Sequence, residues 1–254
     1  MRWFPRSFSL PPHRQWVDDI LYFGLQTYTH GAGVTINVAA AAAARRLRQP
    51  PVSWGAIWIK AIAIAAVSCP ELRTAYLPYP WPRLYVHPYA VAMIAVERVW
   101  NGARAVFADK IKNPAALSLV EINRRCEAMM ILPVESIGGF RLLIRVSRFP
   151  WIVRRLLGHI AMRWSGILRS EYIGTYAVTK AARRVQVLQV ISPMPFTVYW
   201  GNPDSKGDAV FQVFGDHRVA DGMSSLRNFQ VIEKVMNEDI VAELKACAQT
   251  QAMG

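Results

Sequence analysis

Apolar positions recur at helical spacing along much of this 254-residue chain. From Gln15 to Tyr28, the residues Trp16, Ile20, Leu21 and Leu25 keep step on one face and predict an amphipathic helix. A second helix is predicted over Ala39 to Arg48. Its alanine run has high propensity, Arg45, Arg46 and Arg48 suit the negative end of the helix dipole, and Pro50 and Pro51 stop it. Trp54 to Ser68 is apolar on every face, with Ser53 placed as its N-cap, and reads as a core helix. Together with Cys69 this run contains Lys60 and falls short of the ~20 residues that span a bilayer. Short runs rich in Val, Ile, Ala and Tyr predict strands at Arg83 to Val86, Ala90 to Val96 and Ala103 to Phe107. A helix follows over Leu117 to Met130. Further strands are predicted at Thr175 to Val178, Val187 to Ile191, Thr197 to Trp200 and Asp208 to Phe214. Met223 to Asn237 and Ala242 to Ala248 close the chain as helices. Residues 1 to 13 read as an irregular lead-in. With no internal repeat and no obvious linker, the pattern predicts one mixed α/β domain (an α+β sandwich of sheet and flanking helices) over residues 1–254.

Composition narrows the classes. An apolar content of 53% with 11% aromatics excludes a disordered chain. The three cysteines, Cys69, Cys126 and Cys247, are too scattered for a disulfide framework and form no CxxC pair, so a reducing compartment and no structural zinc are expected. The basic, proline-broken N-terminus lacks the apolar run of a secretory signal, which predicts a cytoplasmic protein.

The net charge is +13, and it is uneven. Arg141, Arg145, Arg148, Arg154, Arg155, Arg163 and Arg169 fall in one stretch with no acidic residue between Glu135 and Glu171. Arg141, Arg145 and Arg148 share one helical face, and Pro150 then breaks the pattern. Beyond it, Arg155, His159 and Arg163 share a face, with Ile152, Leu156, Ile160, Trp164 and Ile167 on others. Two short amphipathic helices are predicted in an arm at about residues 138–170. Such an arm suits an anionic surface, either lipid headgroups or an acidic carrier protein, or else packs on its own core with solvated arginines. Nucleic acid is not expected, because the chain has no zinc-finger spacing, RNP-like strand or glycine-rich phosphate loop.

The tract that carries chemistry is Phe211 to Met223, FQVFGDHRVADGM. An apolar strand pattern runs into Asp216 and His217. Asp221 and Gly222 follow in a turn that opens a helix. An imidazole at a strand end, on a rigid support, can take a proton from an alcohol, thiol or amine and later return it. On spacing alone, His-x3-Asp also occurs in metal-ligand pairs and around buried hydrogen-bonded histidines.

Phe214 to Gly222 resembles the active-site signature of the 2-oxoacid dehydrogenase E2 acyltransferase catalytic domain, a family that shares its fold with chloramphenicol acetyltransferase. Asp216, His217, Arg218, Asp221 and Gly222 match its DHRxxDG pattern. The resemblance continues collinearly through residues 51 to 72 with their PEL exit and through Asp109, Lys110, Leu117, Ser118, Leu119, Glu121 and Ile122. It reaches Gly174 to Thr179, similar to the family's GTFTIS segment. It implies a chloramphenicol acetyltransferase-like mixed sheet with flanking helices and acyl transfer from a coenzyme A or acyl-carrier-protein thioester. Coenzyme A would be a cosubstrate, with no cofactor permanently bound. His217 would be the general base, and Thr179, where the family has serine, would donate to the tetrahedral oxyanion. Asp221 would hold the histidine loop through an arginine, for which Arg14 is the candidate. Asp216, Arg218 and Gly222 would frame the loop. The resemblance further implies a homotrimer, or a multiple of one, with His217 facing the Thr179 strand of a neighbour.

Two departures stand out. Residues 1 to 50 are too short for the lipoyl and subunit-binding domains of full-length E2 chains, which points to a free-standing catalytic domain. The arm replaces a shorter, charge-mixed segment, and its place before Gly174 predicts that it lies near the acyl-donor entrance. Two rival readings follow: a non-catalytic scaffold of E2 descent that binds membranes or partners, and a core subunit of a 2-oxoacid dehydrogenase complex.

Overall fold

The structure, a computed structural model, describes residues 9–180 and 190–253. Its centre is the helix α3, Trp54–Ser68, which starts where the sequence places it because Ser53 Oγ accepts from the Ala56 N–H. Ile57, Trp58, Ile59 and Ile62 are fully enclosed, each contributing about 1.5–3 kcal/mol of apolar burial. Trp58 stacks on Phe211 at 4.8 Å, and the buried Tyr176 hydroxyl donates to the Ile59 carbonyl at 2.7 Å. Lys60, the single cation in this run, is neutralised by Glu243 at 2.5 Å and also donates to the Leu117 carbonyl.

Around α3, in chain order, lie α1 (Pro12–Gly24), β1 (Thr29–Asn37), α2 (Ala39–Arg46), β2 (Thr74–Leu77), β3 (Arg83–Val86), β4 (Val91–Trp100), β5 (Ala103–Lys112) and α4 (Leu119–Ile131). After the arm come β6 (Tyr176–Lys180), β7 (Phe196–Trp200), β8 (Asp208–Asp216), α8 (Gly222–Asn237) and α9 (Asp239–Met253). Six strands form one sheet in the order β1-β8-β7-β6-β4-β5, and β2 and β3 form a separate hairpin. The β4–β6 and β6–β7 pairs are parallel and the other three pairs of the sheet antiparallel. The expected mixed sheet with flanking helices is therefore present, with α3 packed between β6 and the helices α4 and α8.

Two elements escape the sequence pattern, β1 and β2. In β1, THGAGVTIN, glycines at 31 and 33 weaken the strand signal. Gly31 is needed because a Cβ there would meet the Phe214 ring at 2.8 Å across the β1–β8 pair. The strand expected at Val187 to Ile191 falls largely outside the described residues, and Val190 and Ile191 lie outside the sheet.

The arm folds as α5 (Gly138–Ser147) and α6 (Trp151–His159), broken at Pro150 as predicted and followed by short turns that include α7 (Gly166–Leu168). Its polarity corrects the sequence reading. The cationic face of α6 points inward, onto α1. Arg154 is buried and bonds Asp19 at 2.7 Å, and Arg155 bonds Asp18 at 2.6 Å and lies 3.9 Å over the Tyr22 ring. His159 meets Tyr22 and Phe23 edge-on, and Arg163 bonds Gln26 and covers Tyr79. Gly158 permits this approach, since a Cβ there would lie 2.3 Å from the Phe23 ring. Arg169 is buried and donates to the carbonyls of Met162 and Pro193. Arg141, Arg145 and Arg148 remain exposed, as expected.

Candidate active site

Strand β8 ends at Asp216, and the chain turns into His217 at the edge of the sheet. The turn is held from three directions. The His217 N–H donates to the Tyr28 carbonyl at 2.8 Å, the Asp216 N–H to Pro195, and the N–H groups of Val219 and Ala220 return to the Asp216 carbonyl. Asp216 is fully buried and accepts hydrogen bonds from Arg218 Nε and Nη2, at 2.8 and 2.7 Å, in a bidentate ion pair. Arg218 in turn lies over Tyr76 at 4.1 Å and Tyr28 at 5.1 Å. Arg169 also sits in Asp216's field, and burial lowers its pKa to about 10, which leaves it charged at neutral pH.

The His217 side chain itself is exposed. Its Nδ1 lies 3.3 Å from the Ala220 carbonyl. A carbonyl only accepts, so the contact places the proton on Nδ1 and leaves Nε2 free as a base. Asp221 is the N-cap of α8, accepting from the Ser224 N–H at 2.7 Å, and that bond holds its carboxyl below the usual range. Asp221 therefore acts on the loop through the helix start. The expected pairing with Arg14 is not formed within the chain: Arg14 is exposed on α1, and the arginine that grips this loop is Arg218, through Asp216. Gly222 opens α8, with open space around its α-carbon.

A second histidine joins the site without any warning in the sequence. His30, on β1, is register partner to Gly215 on β8. Its ring centroid lies 4.8 Å from that of His217, and its Nε2 is 3.2 Å from Ser225 Oγ on α8. Burial first, and the neighbouring His217 second, push its pKa down. Only the antiparallel β1–β8 pairing, invisible to local motifs, brings it there.

Thr179 lies elsewhere. On β6 it is level with Tyr199 and Gln212, so His217 is about 15 Å further along the strand direction and two strands away. The chain does not bring Thr179 and His217 together. Thr179 lines a cleft of about 870 Å³ at the other end of the sheet, with Trp54, Trp200, Arg45, Lys180 and Lys206 on its walls. Arg45 lies 5.4 Å over Trp54 and Lys180 5.6 Å over Trp200. Cys126 borders the same cleft, but burial pushes its thiol up to about 12, which removes it as a nucleophile at neutral pH. No arm residue lines this cleft. The arm enters β6 at its first residue, on the His217 side of the sheet, and Thr179 emerges only after β6 has crossed it. Among the described residues no group of His, Cys, Asp and Glu forms a metal site.

Comparison with solved structures identifies the architecture. The chain is similar to a dihydrolipoamide acetyltransferase from Azotobacter vinelandii, at 14% identity over 95% of both chains with a TM-score of 0.65. That enzyme was studied for the roles of a serine, a histidine and, four positions after the histidine, an asparagine in its catalytic mechanism. A probable dihydrolipoamide acetyltransferase from Listeria monocytogenes matches at 15% identity over 93% of this chain and 95% of that one, TM-score 0.59. Chloramphenicol acetyltransferase matches at 11% identity over 90% and 96%, TM-score 0.52. No protein-family model matches the sequence, and no curated protein matches it. The fold is thus that shared by E2 acyltransferase catalytic domains and chloramphenicol acetyltransferase.

Proposed function

We propose that the protein is an acyltransferase whose active site forms between chains, with His217 of one copy facing Thr179 of the next in a homotrimer. The observation that carries this reading is the placement of the two groups at opposite ends of one sheet, each open to the surface. A closed ring of copies joins such halves without any rearrangement of the chain.

In the reaction, His217 Nε2 takes the proton of an acceptor hydroxyl, thiol or amine as the acceptor attacks a thioester carbonyl. The Thr179 hydroxyl donates to the oxyanion that forms, a contact worth about 3–4 kcal/mol in comparable sites. Collapse of the intermediate breaks the C–S bond. The departing thiolate receives the proton that His217 holds, and the imidazole returns to its starting state. Asp216 with Arg218, and Asp221 through α8, keep the imidazole in place. Asp221 follows His217 by four positions, as the asparagine follows the histidine in the Azotobacter study, and the Thr179 hydroxyl supplies the oxyanion donor in this reading. The cations around the Thr179 cleft suit the phosphates of a coenzyme A thioester donor.

Complementation tests the reading. His217→Ala and Thr179→Ala chains are each expected to fail in a thiol-release assay with short- and long-chain acyl thioesters. Co-assembled in equal amounts, they should recover roughly a quarter of the wild-type sites. Full activity in either single variant, or no recovery in verified mixed trimers, overturns it.

A further inference from the structure

The arm's reversed polarity carries an inference about where the protein works. On α6, Arg154, Arg155 and His159 face α1, whereas along α6 and the turns after it Trp151, Ile152, Leu156, Ile160, Trp164 and Ile167 face out. Trp151 and Ile152 are 65% and 62% exposed. Trp164 stacks on Tyr79 at 5.7 Å, which extends the apolar surface to the β2–β3 turn, where Trp81 is 65% exposed. Arg148, Phe149 and Pro150 continue the exposed run at the corner before α6, and Arg145 and Arg141 extend it along α5. The sequence supplies no acidic residue from 136 to 170 to neutralise them.

We propose that this face lies on an anionic lipid surface, with the aromatic and branched apolar side chains in the acyl boundary and Arg141, Arg145 and Arg148 against the headgroups. The combination of outward Trp, Leu and Ile with flanking arginines is that of an interfacial helix. Charge decides between the occupants. Two copies of the chain meeting through this face would set one arginine cluster against another. An acidic carrier protein would pair with the arginines but leave the apolar side chains in water. No described helix is long and apolar enough to cross a membrane, so the contact is a surface one. Because β6 begins directly after the arm on the His217 side of the sheet, the same contact sets that end of the molecule toward the lipid. The proposal does not rest on acyl transfer, since lipid binding is read without any substrate.

The test is co-sedimentation of the intact protein with vesicles of phosphatidylcholine alone or mixed with phosphatidylglycerol, at low and high salt. Binding to the mixed vesicles is expected, weakened by salt. The variant Trp151→Ser, Ile152→Ser, Leu156→Ser changes only exposed side chains and should bind about tenfold more weakly or less. Arg141→Gln, Arg145→Gln, Arg148→Gln should weaken binding on the order of a hundredfold at low salt. Both variants should keep the wild-type melting temperature. No binding by the wild type, or equal binding by the folded variants, overturns the proposal. So does loss of the wild-type oligomer in the serine variant, which assigns the face to self-association, or saturable binding to an acyl carrier protein without vesicles, which assigns it to a carrier.

Discussion

His30 on β1 and His217 in the turn just past the end of β8 hold their rings 4.8 Å apart at a tilt of 44°. The bond from His30 Nε2 to Ser225 Oγ ties this contact to the helix that Asp221 caps. His30 is thus a positioning residue for the proposed base. Replacing His30 with alanine should lower kcat about tenfold, with KM little changed, because a loosened imidazole spends less time in the reactive orientation. Unaltered kcat would assign the His30 ring to packing alone.

Stability should fall as the solution is acidified below neutrality. His30, His87 and His159 are each held below their ordinary value of about 6.5, with burial the largest cause in every case. Below that value the unfolded chain takes up protons that the folded chain resists. The stability present above about pH 6.5 therefore declines as the pH drops toward the lower folded values. Melting temperatures measured from pH 8 to 5 check this, and a flat or rising trend through that range contradicts it. Glu121 and Glu171, held down at about 2 by their arginine, lysine and tyrosine partners, contribute only to losses at still lower pH.

The oxyanion role of Thr179 separates hydroxyl from methyl. Thr179→Ser should keep most of kcat, whereas Thr179→Val, which removes the donor at similar size, should lose about 10²- to 10³-fold. Steady-state rates of thiol release measure both. Equal rates for the serine and valine variants would dismiss the hydroxyl.

Breaking the Asp216–Arg218 pair should cost more in stability than any surface change nearby. Arg218→Ala strands a buried carboxylate, and a loss of about 3 kcal/mol is expected, at the low end for buried pairs because Arg218 is partly exposed. Urea denaturation gives the figure, and a change below the size of an ordinary surface substitution would show that Arg169 alone sustains Asp216.

Much of this was legible in the sequence, and the reasons are local. Ser53 and Pro70 bracket α3 and Pro150 divides the arm, and each signal lies within a residue or two of what it controls. The tract from Asp216 to Gly222 announced a strand end, a turn and a helix start. What stayed hidden is non-local. The acids that receive Arg154 and Arg155 lie on α1, so the spacing within α6 does not tell which of its faces turns inward. His30 becomes a neighbour of His217 only through strand pairing.

The separation of Thr179 from His217 also has a genetic meaning. In a ring of copies each chain lends its imidazole to one junction and its hydroxyl to another, so a copy damaged at both positions silences every junction it joins. Under the proposed assembly, an allele defective at both positions and expressed beside an intact one should depress activity by more than its share of the protein, a dominant-negative dosage effect.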